Sequence, residues 1–252
     1  MKNYHTHTTR CMHAIGSEEE YILAAISAGY TELGFSDHTP WHYESGYHAT
    51  MRMDESQLED YVHTLSVLRD KYKDKISIKI GLECEYFEDK MEWLKDQLEK
   101  YKLDYIILGN HFDGSDETGI YYGHPVSLEE LKKYVLQVIK AMDTGLFSYV
   151  AHPDVVFYDE KNQEHIDELE KICIHAAEID MPLEFNLLGY KAMRHYPSQP
   201  FIDLCKKHHN RIIIGTDAHE PSALKDIKTY NRAYTYLKES GLEITEDIKM
   251  LR

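Results

Sequence analysis

Short runs dense in β-branched and aromatic residues alternate along this chain with longer segments of helical periodicity. Seven of the short runs predict strands, at 3–7, 32–37, 76–83, 104–109, 147–152, 182–186 and 211–217. Between them, Ser17 followed by Glu20 predicts a capped helix closing at Gly29, and Ser127 followed by Glu130 predicts another closing near Gly145. The third, sixth and seventh runs are rich in Ile, Leu, Val or Phe, as parallel strands covered by helices must be. No repeat, low-complexity tract or linker divides the chain, so the rhythm predicts one α/β domain over 1–252, either a barrel or a large doubly wound sheet.

A second pattern is superposed on the first. Polar side chains able to bind metals fall where these runs end: His5 and His7 on the first, Asp37 and His38 after the second, Glu83 on the third. His111, His152, Asn186, Asp217 and His219 follow the fourth to seventh in the same way. In a parallel α/β barrel all strand C-termini open on one face, where active sites are built, so residues far apart in sequence converge there. Each piece alone has a plain reading. A His-x-His pair also occurs on ordinary strand surfaces, Asp37 could cap a helix, and Glu83 has Glu85 beside it as an equal candidate. Their joint placement is what points to a metal centre. Imidazoles and carboxylates bind Zn²⁺, Mn²⁺ or Fe²⁺, and a carboxylate can bridge two ions. Ions roughly 3.5–4 Å apart suit hydrolysis of a phosphate ester. His63, His165, His175, His208 and His209 fall within helical stretches and read as solvated or structurally paired.

Charge and composition narrow the field. With 28 basic and 44 acidic residues the formal net charge is −16, which opposes nucleic acid and anionic membrane as partners. The apolar runs are too short to span a bilayer and the first residues lack the pattern of a signal peptide, so a soluble, cytoplasmic protein is expected. Cys11, Cys84, Cys173 and Cys205 form no C-x-x-C pair and read as reduced thiols.

The motifs H-T-H (5–7), His13, S-D-H (36–38), G-L-E (81–83), G-N-H (109–111), H-P-D (152–154) and G-T-D-A-H (215–219) together resemble the polymerase and histidinol phosphatase (PHP) family. Segments 11–40 and 184–219 resemble its stand-alone histidinol-phosphatase branch. The resemblance implies a distorted (β/α)7 barrel with up to three divalent ions (Zn, Mn or Fe) at the C-terminal ends of the strands. It implies that His5, His7, Glu83 and Asp217 hold the first ion, that Glu83 bridges to a second held also by His111 and His152, and that His13, His38 and His219 hold the third. It further implies that a bridging hydroxide attacks phosphorus, with Glu83, Asp217 and His219 at the centre of catalysis.

The substrate expected on this basis is L-histidinol phosphate, a small phosphate monoester. Another small phosphate ester or phosphotyrosine is the alternative, and a nuclease or a non-catalytic metal-binding protein stands further off. A phosphate dianion calls for a forked cation, for which Arg194 fits best, followed by His42 and Arg52. The family resemblance also implies an arginine soon after H-P-D, where this chain has Val155, Val156, Phe157 and Tyr158, with Lys161 the nearest cation. The sequence leaves the oligomeric state open.

Overall fold

The computed structural model describes residues 1–251. Its strands are β1 (Lys2–Asn3), β2 (Glu32–His38), β3 (Ser77–Cys84), β4 (Tyr105–Leu108), β5 (Leu183–Asn186), β6 (Arg211–Gly215) and β7 (Glu243–Thr245). The helices are α1 (Glu18–Ser27), α2 (Leu58–Tyr72), α3 (Met91–Tyr101), α4 (Leu128–Asp143), α5 (Gln163–Glu178), α6 (Leu187–Ala192), α7 (Gln199–Lys207), α8 (Pro221–Leu224) and α9 (Ile227–Glu239). Both predicted capping boxes form. Ser17 and Glu20 open α1 and Ser127 and Glu130 open α4, in each case with side chain and backbone satisfying each other reciprocally. The first chain reversal follows at Gly29, whose φ of 82° is the left-handed conformation that favours glycine.

The strands pair in parallel, in the orders β1-β2-β3-β4 and β5-β6-β7. Val150 bridges Leu108 on one side and Leu183 on the other, so segment 147–152 joins the two sheets in the place of a strand. Its ladder is short. Ser148 N–H donates to Ile106 O at 2.8 Å and Ala151 N–H to Leu108 O at 2.8 Å, while Val150 N–H turns to Pro182 O at 3.1 Å. A further bridge, Thr6 to Ala218, links the first strand's continuation back to the end of β6 and curls the sheet around. The seven predicted strand positions are therefore filled, the fifth by bridges instead of a regular strand. β7, which the hydrophobic pattern did not predict, adds to the outer edge of β6 through Arg211, Ile212 and Ile213.

Two cores result. The larger lies between strands and helices and holds Ile22, Phe35, Leu65, Ile80, Leu94, Leu108, Leu169 and Ile214 among many others. A smaller one, Tyr4, Tyr105, Ile107, Tyr149, Ala151 and Ile213, fills the interior, with Ile248 and Met250 of the C-terminal segment packed against it. An interior of the curled parallel sheet that is packed with side chains leaves chemistry to the strand ends.

Candidate metal centre

Register places the first contacts. In the β2–β3 ladder His38 pairs with Glu83, and Glu83 pairs in turn with Ile107 of β4. His5 and His7, two residues apart and thus on one face of an extended segment, enter from the neighbouring position. His7 N–H donates to Ala218 O at 3.0 Å and Ala218 N–H to His5 O at 3.2 Å, which brings Asp217 and His219 to the same rim.

The nine residues meet there. Glu83 Oε1 lies 2.8 Å from His152 Nε2 and 3.6 Å from His111 Nε2. Its other oxygen, Oε2, lies 3.0 Å from His38 Nδ1 and 3.5 Å from the Nε2 atoms of both His5 and His7. One carboxylate thus presents its two oxygens to two different sets of imidazoles, the arrangement of a bridge between two cations. Asp217 Oδ1 completes the first set, 3.5 Å from His5 Nε2 and 3.3 Å from His7 Nε2. His13 and His219 stand at the outer edge with their Nε2 atoms 3.0 Å apart. His38 lies between the groups, close to Glu83 and also convergent with His7 and His219.

Buried polar atoms normally find partners. Here His5 Nε2, His7 Nε2, His38 Nδ1, both oxygens of Glu83 and Asp217 Oδ1 are all buried without a hydrogen bond among the described residues. They point at one another across gaps that suit a metal ion, so the donor set fits divalent cations.

Three of these imidazoles, those of His5, His7 and His111, are held from behind by a carboxylate. His5 Nδ1–H donates to Glu184 Oε1 at 2.8 Å, and the second oxygen of Glu184 accepts from His152 N–H at 2.9 Å and Asn186 Nδ2 at 3.0 Å. His7 Nδ1 lies 3.4 Å from Asp37 Oδ1, and Asp37 is fixed by Thr8 and by His38 N–H at 2.8 Å. His111 Nδ1 lies 3.3 Å from Glu85 Oε1. Such carboxylate–imidazole pairs set the tautomer and orient the ring toward a metal. Glu85 is therefore a support of the site, and Glu83 is the carboxylate at its centre.

Electrostatics follow from that crowding. Burial alone would raise the carboxyls, but the neighbouring His111, His5 and His152 hold Glu83 well below the usual carboxylate range, and His5 and His219 do the same for Asp217. Burial would lower His5, yet Glu184, Asp217 and Glu83 raise it well above an ordinary imidazole. His38 goes the other way: burial pushes it down to about 3 despite Glu83, so it stays neutral and keeps a lone pair. Protons and cations thus compete for the same nitrogens.

The three substrate candidates part company. Arg194 sits on the loop after α6 with an exposed guanidinium. Its Nη1 donates to Tyr196 Oη at 2.8 Å, and the Tyr196 ring stands edge-on to His152 at 5.9 Å. Arg52 corrects the sequence expectation. Its guanidinium is wholly buried, bidentate on Glu85 at 2.7 and 2.9 Å, and bonded to Asp116 at 2.8 Å and Thr39 O at 3.0 Å. It has no face left for a substrate and instead fixes Glu85 behind His111. His42 is also corrected. It pairs with Glu55 at 2.7 Å on the rim of a separate cavity between Trp41, His48 and Tyr101, which no residue of the cluster lines. Lys161 is exposed ahead of α5.

A cavity of about 540 Å³ adjoins the cluster, lined by His13, Asp217 and His219 with Ile15, Leu187 and Leu188. A further cavity, of about 1330 Å³, lies away from the cluster beside Leu103, Lys249 and Met250. Among the described residues no helix is long and apolar enough to cross a membrane.

Known proteins share this arrangement of elements. The chain is 26% identical over 232 residues to a probable histidinol-phosphatase of Deinococcus radiodurans, covering 86% of this chain and 85% of that one. It is 27% identical over 250 residues to the histidinol-phosphatase of Bacillus subtilis, covering 86% and 92%. The crystal structure of a histidinol phosphate phosphatase from Lactococcus lactis, complexed with Zn, L-histidinol and phosphate, has the same fold at a TM-score of 0.74 and 22% identity, covering 100% of this chain and 98% of that one. The PHP domain profile matches residues 3–187, well over half of the sequence. Fold, clustered strand-end residues and sequence match agree, and the chain belongs to the PHP domain family.

Proposed function

We propose that this protein is a metal-dependent phosphomonoesterase that hydrolyses L-histidinol phosphate to L-histidinol and phosphate. The observation that carries the reading is Glu83, whose two buried oxygens face His152 and His111 on one side and His5, His7 and His38 on the other. Relatives covering more than four-fifths of the chain bear the name histidinol-phosphatase.

On this reading His5, His7, Glu83 and Asp217 hold one cation, Glu83, His111 and His152 a second, and His13, His38 and His219 a third, with Zn, Mn or Fe as the occupants. Divalent cations there supply Lewis-acid neutralisation of phosphoryl charge and a nucleophilic water at neutral pH. The chain's own residues do the rest. Glu83 and Asp217 remain ionised at neutral pH, and His38 remains neutral. Glu184, Asp37 and Glu85 fix the rings of His5, His7 and His111. Arg194, bonded to Tyr196, whose ring in turn stands edge-on to His152, offers the planar fork that a phosphate dianion accepts. The adjoining cavity of about 540 Å³ has the size of a small-molecule site, and Ile15, Leu187 and Leu188 give it an apolar wall.

The test is phosphate release from L-histidinol phosphate, p-nitrophenyl phosphate and a phosphotyrosine peptide by metal-reconstituted protein. The expected result is a kcat/KM for L-histidinol phosphate of about 10⁴ M⁻¹s⁻¹ or more, at least tenfold above the others. Preference for the phosphotyrosine peptide would overturn the substrate while leaving the phosphatase chemistry in place.

A further inference from the structure

Cys11 stands beside the metal cluster with no role in the reading above. It ends a short 3-10 turn (Thr9–Cys11), and its side chain is fully buried. The next residue, Met12, is left-handed at φ 67°, which turns the chain so that His13 comes back over Cys11. His13 Nδ1–H then donates to the Cys11 carbonyl at 2.6 Å. His219 Nδ1–H donates to the Asp217 carbonyl at 3.1 Å. With both Nδ1 atoms protonated, the neutral rings carry lone pairs on Nε2, and those two atoms face each other at 3.0 Å. Two lone pairs at that separation repel unless a proton or a metal ion lies between or beside them. The Cys11 thiol and one ring nitrogen each of His13 and His219 all lie within 4.8 Å of one another. In a tetrahedral site with metal–sulfur and metal–nitrogen bonds of roughly 2.3 and 2.1 Å, ligand atoms sit roughly 3.4–3.6 Å apart. The trio can close on one ion with small side-chain adjustments.

We propose that Cys11 is a thiolate ligand of the cation held by His13 and His219, giving that position a sulfur donor. On binding, the S–H bond breaks, its proton leaves to solvent, and the freed electron pair forms the metal–sulfur bond. A mixed sulfur and imidazole set selects Zn²⁺ or Fe²⁺ over Mn²⁺, whereas the carboxylate-bridged positions accept all three. The outermost position therefore differs in metal preference from the two inner ones. The inference rests on the metal-centre reading, and the experiment separates the two.

Metal-free protein is titrated with Co²⁺ to saturation and followed by absorption. Visible d–d bands report cobalt at any of the sites, and a near-ultraviolet sulfur-to-cobalt charge-transfer band reports a thiolate ligand. Wild type is expected to show both, and Cys11→Ser to lose the charge-transfer band while keeping d–d absorption and its circular dichroism. Charge-transfer absorption of equal strength in Cys11→Ser, or d–d bands without it in wild type, overturns the cysteine assignment alone. No d–d absorption at saturating Co²⁺ overturns the metal centre itself. The wild-type arm decides the question even where the variant folds poorly.

Discussion

Gly109 leaves room for Glu83: a Cβ built on Gly109 would fall 2.0 Å from Glu83 Oε1 and 2.7 Å from its carboxyl carbon. Gly215 does the same for Glu184, whose Oε1 would lie 1.7 Å from an added Cβ. The glycines in the G-N-H and G-T-D motifs thus make space for carboxylates contributed by the neighbouring strands. Gly109→Ala must displace the Glu83 carboxylate, because an added Cβ and the carboxyl oxygen cannot both occupy positions 2.0 Å apart. The expected outcome is loss of at least one bound ion per chain by elemental analysis, with activity reduced about ten- to a hundredfold.

Glu83→Gln keeps the shape of the side chain and removes the charge. Because Gln fills the same volume, the substitution sacrifices little packing. Metal content and kcat/KM should collapse, the latter by more than about a hundredfold, while the melting temperature of the metal-stripped protein stays within about 5 °C of wild type, a shift equivalent to about 1–2 kcal/mol at this size. Stripped-protein melts and assays of the reconstituted variant check both halves.

Arg52 is a test of support without contact. Its guanidinium neutralises two buried carboxylates, Glu85 and Asp116, and the carboxyl of Glu85 is held well below its usual range by that pairing after burial has pushed it up. Arg52→Met should cost about 3–5 kcal/mol, the usual result of leaving buried charge unpaired. Urea denaturation measures it. Arg194→Ala, by contrast, should leave stability within about 0.5 kcal/mol, because the side chain is exposed, and act on KM or kcat.

The fate of these two arginines shows where sequence stops. Eight of the nine converging residues were legible because they stand at the ends of predicted strands, which share one rim, whereas His13 follows no such run and entered only through the family motifs. Arg52 and Arg194 look alike in sequence; burial separates them, and burial arises from contacts to Glu85 and Asp116 that lie 33 and 64 residues away. Glu184 was hidden for a similar reason. It reads as one polar residue inside a strand, and its partner His5 is 179 residues distant. Segment 147–152 was recognised as a strand from its apolar content, but its backbone bonds are divided between two neighbours and form isolated bridges. β7 has three residues with little burial, too weak a pattern to stand out.

Asp154 gives a pH prediction. It is buried, accepts from Ser198 N–H at 2.6 Å, and burial raises its carboxyl from 3.8 to about 6. The folded state therefore holds this proton more tightly than the unfolded chain. Asp154 costs nothing below pH 3.8, its penalty grows as pH rises toward 6, and above that it levels off at about 3 kcal/mol. Asp154→Asn keeps the acceptor for Ser198 and removes the titration. The variant should match wild type near pH 4 and exceed it by up to about 3 kcal/mol at pH 8, as read from urea melts of metal-stripped protein at both pH values.

The most direct test of the central claim is a metal titration of activity. Protein stripped with a chelator is given Zn²⁺ or Mn²⁺ in steps, and phosphate release from L-histidinol phosphate is measured alongside bound metal. The account predicts no turnover without metal, and turnover that rises as the sites around Glu83 fill, with more than one ion bound per chain at full activity. Undiminished phosphate release from the stripped protein, or inert protein with its sites filled, would contradict it.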